Sequence, residues 1–288
     1  MTLKLSQQPA LMLFAIGLTL VNLALVAFSL YKVNNLSNSI DDLSQKSGIK
    51  YLLSESESTR QINGHINARI DAYVEQRKQE KVTLKYDDYQ FAVERSLTNK
   101  HIYGEEDARF TLVEYSDLEC PYCKRYHATP KKVVDSSSGL VNWQWKHLPL
   151  PFHNPVATIQ AQASECVTDI AGNRAFWVFI HEVFEETKGN GQGAGDLVSI
   201  AKNIGVNGDA FSQCLNAGTF REKVAADLQK AKELGVNSTP VTFVVDNHTG
   251  NNVMLRGAQP PEAIVSTIQR MKKKADNSNN GNQSGDRP

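Results

Sequence analysis

The chain has 288 residues, and its 31 Lys and Arg are balanced by 31 Asp and Glu, giving a formal net charge of zero. That balance argues against a nucleic-acid binder working through a basic surface, because phosphate recognition needs concentrated positive charge. Four cysteines are too few for a small disulfide-stapled scaffold but enough for one reactive pair and one structural pair, and at about 100–200 residues per domain the length fits one domain with extensions, or two.

From Ala10 to Tyr31 no side chain is charged, and only Thr19, Asn22, Ser29 and Tyr31 are polar. A bilayer core needs roughly 20 such residues in a helix, whereas a cleavable signal has an apolar stretch of roughly 7–15. The length favours an uncleaved signal anchor over residues 1–31. A cleaved signal ending near Ala27-Phe28-Ser29 and a buried soluble helix are the alternatives. Lys32, Lys46 and Lys50 would keep the following part in the cytoplasm by the positive-inside rule, although a long domain weakens that rule.

Residues 32–103 read as a partly helical stalk. Leu36, Ile40 and Leu43, and then Ile62, Ile66, Ile70 and Tyr73, form narrow helical stripes. Two such stripes would suit a parallel coiled coil and a homodimer, and a spacer helix packed on its own domain is the plainer reading. The globular part is expected from Gly104.

Phe110 to Ser116 suits a buried strand. Cys120-Pro121-Tyr122-Cys123 follows, with a helix expected over Pro121 to Val134. Val141 to His147 alternates as a half-buried strand that Pro149 should end. Asn154 can cap a helix with Pro155 in its first turn, and Gly172 should close it. Further helices are expected over Ala175–Phe184, Leu197–Ile204, Ala210–Leu215 and Phe220–Leu234. Val241–Val245 and Val253–Leu255 read as a hairpin across a turn-rich loop. A last helix covers Pro261 to Lys273, and the tail 275–288, with no large apolar residue, is expected to be disordered.

A C-x-x-C between a strand and a helix has a chemical logic. The first cysteine meets the helix's free N–H groups and its dipole, which favour a thiolate. The second lies one turn on and can resolve a mixed disulfide. Pro121 costs no hydrogen bond at the first turn. Cys120 is the expected nucleophile and Cys123 the resolving thiol. Half of a zinc site is the competing reading, but it needs a second ligand pair at short spacing, and Cys166 and Cys214 each stand alone. No metal is expected.

The run Leu112-Val113-Glu114-Tyr115-Ser116-Asp117 before Cys-Pro-Tyr-Cys, the Phe176-Trp177 helix and Thr239-Pro240 before a strand together resemble the DsbA-like branch of the thioredoxin superfamily. The resemblance covers about Gly104 to Lys274. It implies an α/β thioredoxin-like fold over 104–274, with a helical insertion at about 150–236. Glutaredoxins share Cys-Pro-Tyr-Cys but lack such an insertion. It further implies that Thr239 and Pro240 face the sulfurs and, with Pro121 and Tyr122, hold an extended substrate chain. Glu114 would lie buried beneath the pair and exchange a proton with the resolving thiol, as a carboxyl of raised pKa can. Asp117 is a weaker substitute for that role. His127 reads as a surface histidine, and nothing marks His147 or His153 as ligands. Trp143, Trp145 and Trp177 read as core.

Cys166 and Cys214 fall on apolar faces of the insertion. They are either two free buried thiols or, in an oxidising compartment, a structural disulfide of the kind that some family members carry. The activity implied is thiol–disulfide exchange without a cofactor. Its partners would be cysteine-containing proteins and a membrane redox partner. The site would lie in the periplasm or outside the cell, anchored in the bacterial inner membrane. Oxidase, isomerase of DsbG type and reductase share these residues, and a non-catalytic scaffold on the same frame is the reading from another class.

Overall fold

A computed structural model describes residues 28, 31–36, 38–39, 57–92, 94 and 100–282. The apolar run 10–31 lies outside the described residues except at Phe28 and Tyr31, as do Ile40 and Leu43. Among the described residues no helix is long and apolar enough to cross a membrane. Contacts divide the chain into two units, Met1–Gln76 and Arg77–Pro288.

In the first unit, residues 31–36 and 38–39 are helical, and helix α1 (Glu57–Asp87) begins. Its stripe of Ile62, Ile66, Ile70 and Tyr73 is exposed.

The second unit starts earlier than the expected Gly104. Tyr86 donates its hydroxyl to the Ile204 carbonyl at 3.0 Å. Lys85 pairs with Glu182 at 2.6 Å, and Tyr89 is buried. Ala92 bridges to Tyr103 in strand β1 (His101–Tyr103). Polar composition hid this, because the packing residues 85–92 are few among many charges.

Four more strands complete the sheet: β2 (Phe110–Ser116), β3 (Val141–His147), β4 (Val241–Asp246) and β5 (Asn252–Arg256). Their order is β1-β3-β2-β4-β5. β2 runs parallel to β3 and antiparallel to β4, and β4 and β5 form the expected hairpin. Alternation along β2 serves two cores. Phe110 and Leu112 join the larger one, while Val113 and Tyr115 join a smaller one with Leu148, Leu150, Ala231 and Phe243.

β3 is buried on both faces rather than one. Trp143 and Trp145 fill the larger core. The polar face is covered because its groups find partners: Asn142 donates to the Glu105 carbonyl at 2.6 Å, and Lys146 pairs with Asp227 at 2.7 Å. Alternation revealed the two faces but not that polar partners would cover one of them.

The helix after the cysteine motif is two helices, α2 (Pro121–Tyr126) and α3 (Ala128–Asp135), joined at His127. The insertion begins with a 3-10 turn (Pro151–His153) and α4 (Val156–Glu186), which kinks at Gly172. Gly172 has φ 87° and ψ 177°, a conformation that only glycine adopts readily. The N-cap of α4 is Pro155 rather than the expected Asn154, which stands one residue earlier and accepts from the N–H and hydroxyl of Thr158. Helices α5 (Leu197–Asn203), α6 (Gly208–Ala217) and α7 (Arg221–Glu233) follow near their expected places.

Helix α8 runs from Pro261 to Asn282, so the part of the tail up to residue 282 is helical and not disordered. Ile264 and Ile268 anchor it in the larger core. Once nucleated by packing, a helix extends through polar residues at little cost.

Candidate active site

Strand β2 delivers Cys120 to the N-terminus of α2, where it is the N-cap residue in extended conformation (φ −83°, ψ 119°) with Pro121 opening the helix. The Cys120 N–H donates to the Asp117 carbonyl at 3.0 Å, which fixes the turn. Both motif cysteines are free thiols, Cys123 fully buried and Cys120 only 5% exposed. The Cys120 thiol reaches the Thr239 carbonyl at 3.6 Å, and the Thr239–Pro240 peptide is cis. The structure thus brings Cys120, Cys123, Thr239 and Pro240 to one end of the sheet. Tyr122 stands exposed beside them, with the Arg125 guanidinium 5.0 Å from its ring centre.

Electrostatics divides the two sulfurs. A hydrogen bond from the Cys123 thiol holds Cys120 down to about 6, against partial burial. The Thr239 side chain and the N–H groups of Cys123 and Tyr122 add to it. The Thr239 hydroxyl is buried, with no hydrogen-bond partner of its own. Burial drives Cys123 well above the ordinary thiol range, and the neighbouring Cys120 and Glu114 push the same way. One sulfur is poised as a nucleophile while the other is kept as a thiol.

Glu114 is fully buried, as the resemblance implied. Burial raises its carboxyl to about 8. The Ser116 hydroxyl and the Trp143 indole N–H lie near it and lower it in part. Ser116 is two residues along β2, on the same face, and its hydroxyl also acts on Cys123. Ser116 carries no motif of its own in the sequence. The i, i+2 spacing from Glu114 was the available signal.

Asp117 does not take the proton role. Its carboxyl accepts from Leu150 N at 2.8 Å, lies 2.7 Å from His153 Nδ1, and so fixes the turn after β3. Burial raises it, and those partners oppose the rise. Glu119, also unremarked in the sequence, is buried one residue before the nucleophile. Its Oε1 accepts from Thr187 at 2.5 Å and its Oε2 from Gly193 N at 3.0 Å. Its carbonyl accepts from Asn190 N at 2.7 Å.

His127 is buried rather than on the surface, 2.9 Å from the Tyr89 hydroxyl, and it serves the core. Burial holds it neutral, down to about 3, with His181 and Lys131 adding to the effect. Trp143, Trp145 and Trp177 are core residues. Cys166 in α4 and Cys214 in α6 are joined as a disulfide, with Cα atoms 5.9 Å apart.

His101, His147 and Glu165 cluster closely enough to invite a metal. The donor chemistry does not fit one. The Trp145 indole donates to His147 Nδ1 at 3.1 Å, so neutral His147 carries its proton on Nε2 and gives it to Glu165 Oε1 at 2.9 Å. That nitrogen has no lone pair to offer. Lys223 already occupies Glu165 Oε2 at 2.5 Å. Burial alone would raise Glu165, yet its His101 and His147 partners hold it well below the carboxylate range. The cluster is a buried network of hydrogen bonds and ion pairs tying α4 and α7 to the sheet.

A β-sheet of this order, with a cysteine pair at the β2–α2 turn and a cis-proline opposite, defines a thioredoxin-like thiol–disulfide site. A thioredoxin family profile matches residues 96–270. DsbA2 of Pseudomonas aeruginosa superposes with a TM-score of 0.55 at 33% identity, covering 62% of this chain and 97% of that one. Oxidised BdbD of Bacillus subtilis shares the fold at 23% identity, with a TM-score of 0.53 over 62% of this chain and 94% of that one. The chain belongs to the thioredoxin family, in its DsbA-like branch of thiol–disulfide oxidoreductases.

Among curated proteins, the Na(+)/H(+) antiporter NhaA 1 of Salinispora arenicola is 29% identical over 172 residues, 59% of this chain and 26% of that protein. NhaA of Herminiimonas arsenicoxydans is 30% identical over 169 residues, 59% of this chain and 25% of that protein. The chain spans about a quarter of the length of these relatives.

Proposed function

We propose that the chain forms and exchanges disulfides in cysteine-containing proteins outside the cytosol, acting first as an oxidase. The observation that carries the direction is the split between the two sulfurs, with Cys120 held down to about 6 and Cys123 held up. A stabilised thiolate favours the reduced enzyme and makes its disulfide the stronger oxidant. In the oxidising turn, a substrate thiolate attacks Cys120 Sγ of the Cys120–Cys123 disulfide, and Cys123 leaves and takes a proton. Glu114, protonated at neutral pH, is placed to supply it. A second substrate thiolate then attacks the substrate sulfur of the mixed disulfide and releases the Cys120 thiolate. Two electrons have passed to the enzyme, and a membrane redox partner removes them.

Equilibration with glutathione buffers tests this reading. The expected potential lies well above the thioredoxin value, and one near about −270 mV would overturn the oxidase assignment. The isomerase reading of DsbG type rests on Cys-Pro-Tyr-Cys with Thr239 and on the exposed apolar stripe of α1. A dimer of residues 32–288 in sedimentation, together with disulfide-shuffling activity, would select it. A non-catalytic scaffold would keep its biological role in Cys120→Ser.

In this proposal residues 1–31 serve as an uncleaved signal anchor in the bacterial inner membrane, with the site outward. Labelling of Cys120 by an impermeant thiol reagent in intact cells, after mild reduction, is the expected result. Antiport is not carried over from the longer relatives.

A further inference from the structure

The two residues that bracket the cysteine motif reach the same place. Glu119, one residue before Cys120, is fully buried. Its Oε1 accepts from the Thr187 hydroxyl at 2.5 Å, its Oε2 from Gly193 N at 3.0 Å, and its carbonyl from Asn190 N at 2.7 Å. Lys124, one residue after Cys123, donates to the Glu185 carbonyl at 3.1 Å and to the Thr187 carbonyl at 3.3 Å. Both therefore close on Thr187, the C-cap of α4, one through its hydroxyl and the other through its carbonyl. The Thr187 hydroxyl also accepts from Gly189 N at 3.0 Å. Gly189 has φ 73° and lies against the motif, where a Cβ would stand 3.3 Å from Pro121 Cγ.

Burying a carboxyl is costly, and an apolar side chain of similar volume would fill the space without that cost. Three acceptor bonds into Thr187 and loop 188–195 offset it, and their return is a fixed position for the opening turn of α2. The N–H groups of Tyr122 and Cys123 in that turn help to hold the Cys120 thiolate. Hydrogen bonds weaken steeply as their angle departs from linear, so a small tilt of the turn would loosen that hold.

We propose that Glu119, Thr187 and Lys124 form a brace across the cysteine pair, which positions the opening turn of α2 around Cys120 and so sets the stability of its thiolate and the oxidising strength of the pair. All three are positioning residues, acting through the backbone of the turn rather than on the sulfur itself. The proposal rests on the thiol-exchange reading, and its test separates the two.

The full chain is reduced and alkylated with iodoacetamide across the pH range, and its redox equilibrium is measured in glutathione buffers. Glu119→Gln and Thr187→Val should each raise the inflection of Cys120 alkylation by about one pH unit. Each should lower the equilibrium constant for oxidising glutathione about five- to tenfold, roughly 20–30 mV. Lys124→Met should move both quantities the same way. Thr187→Ser, which keeps the hydroxyl, should match the wild type. Glu119→Gln and Lys124→Met remove opposite charges, so shifts of opposite sign would show the charges acting directly on the sulfur and overturn the brace. A lowered melting temperature with inflection and potential unmoved would make the cluster merely structural and overturn it as well. If Glu119→Gln does not fold, Thr187→Val set against Thr187→Ser decides. If the wild type does not exchange with glutathione, the thiol reading fails, and the alkylation inflections alone decide the brace.

Discussion

Cys120 and Glu114 sit six residues apart on one strand–turn and are moved in opposite directions, Cys120 down by the hydrogen bonds of Cys123 and Thr239 against burial, and Glu114 up by burial. For Cys120, the thiolate is held by donors at a helix start, so alkylation of the reduced protein should rise with an inflection near about pH 6. Stopped-flow iodoacetamide kinetics check this. The inflection should vanish in Cys120→Ser and move upward in Thr239→Val, which lacks the hydroxyl donor.

For Glu114 the sign is opposite. Its folded carboxyl is raised to about 8 from 4.5, so the folded state prefers the proton. Stability from this group is whole below pH 4.5 and is lost as pH climbs toward 8, by roughly 3 kcal/mol between pH 4.5 and 7. Urea unfolding of the reduced protein at several pH values should show that decline. Glu114→Gln should flatten it and slow the exchange steps in which Cys123 gains or loses a proton.

Elements rather than residues decide where the insertion lies. α4 turns at Gly172, where a Cβ would stand 3.0 Å from the Glu94 carbonyl and φ is +87°. Gly172→Ala should therefore cost about 1–3 kcal/mol in chemical denaturation, with the redox potential unchanged. The sequence marks Gly172 as the end of one helix before another over Ala175–Phe184, and the structure instead carries one helix on through a kink there; all the strands from β2 onward were legible, because buried runs bounded by turns leave a local signature. What escaped was long-range. The break at His127 follows from the burial of that ring against Tyr89, and the double burial of β3 from partners such as Asp227 far along the chain. The cysteine motif could be read in advance because its chemistry is encoded in spacing, whereas Glu114 and Thr239-Pro240 were marked only by the resemblance to the DsbA-like branch. Asp117, Glu119 and His153 could not, since their roles appear only when the loops they hold come into place.

At the scale of the molecule, two titrations oppose each other. Glu114 favours acid, whereas neutral, buried His127 favours base. With its folded pKa lowered to about 3 from 6.5, His127 contributes stability above pH 6.5 that is lost as pH falls toward 3. Glu165, held well below 4.5, adds to the loss at the lower end. The reduced protein should be most stable in the mildly acid range, and His127→Phe should shift acid unfolding, followed by circular dichroism, to lower pH.

The Lys188–Gly195 loop belongs to the inserted block by sequence, yet its backbone rests on Pro121 of the motif. The block is therefore a segment in the chain but not a separable module in space. Excising it to recover a minimal thioredoxin would also strip one side of the cysteine turn. Transplanting it onto another scaffold would carry the loop without the acidic residue that seats it. A chimaera that keeps this site must exchange Glu119 and the loop together.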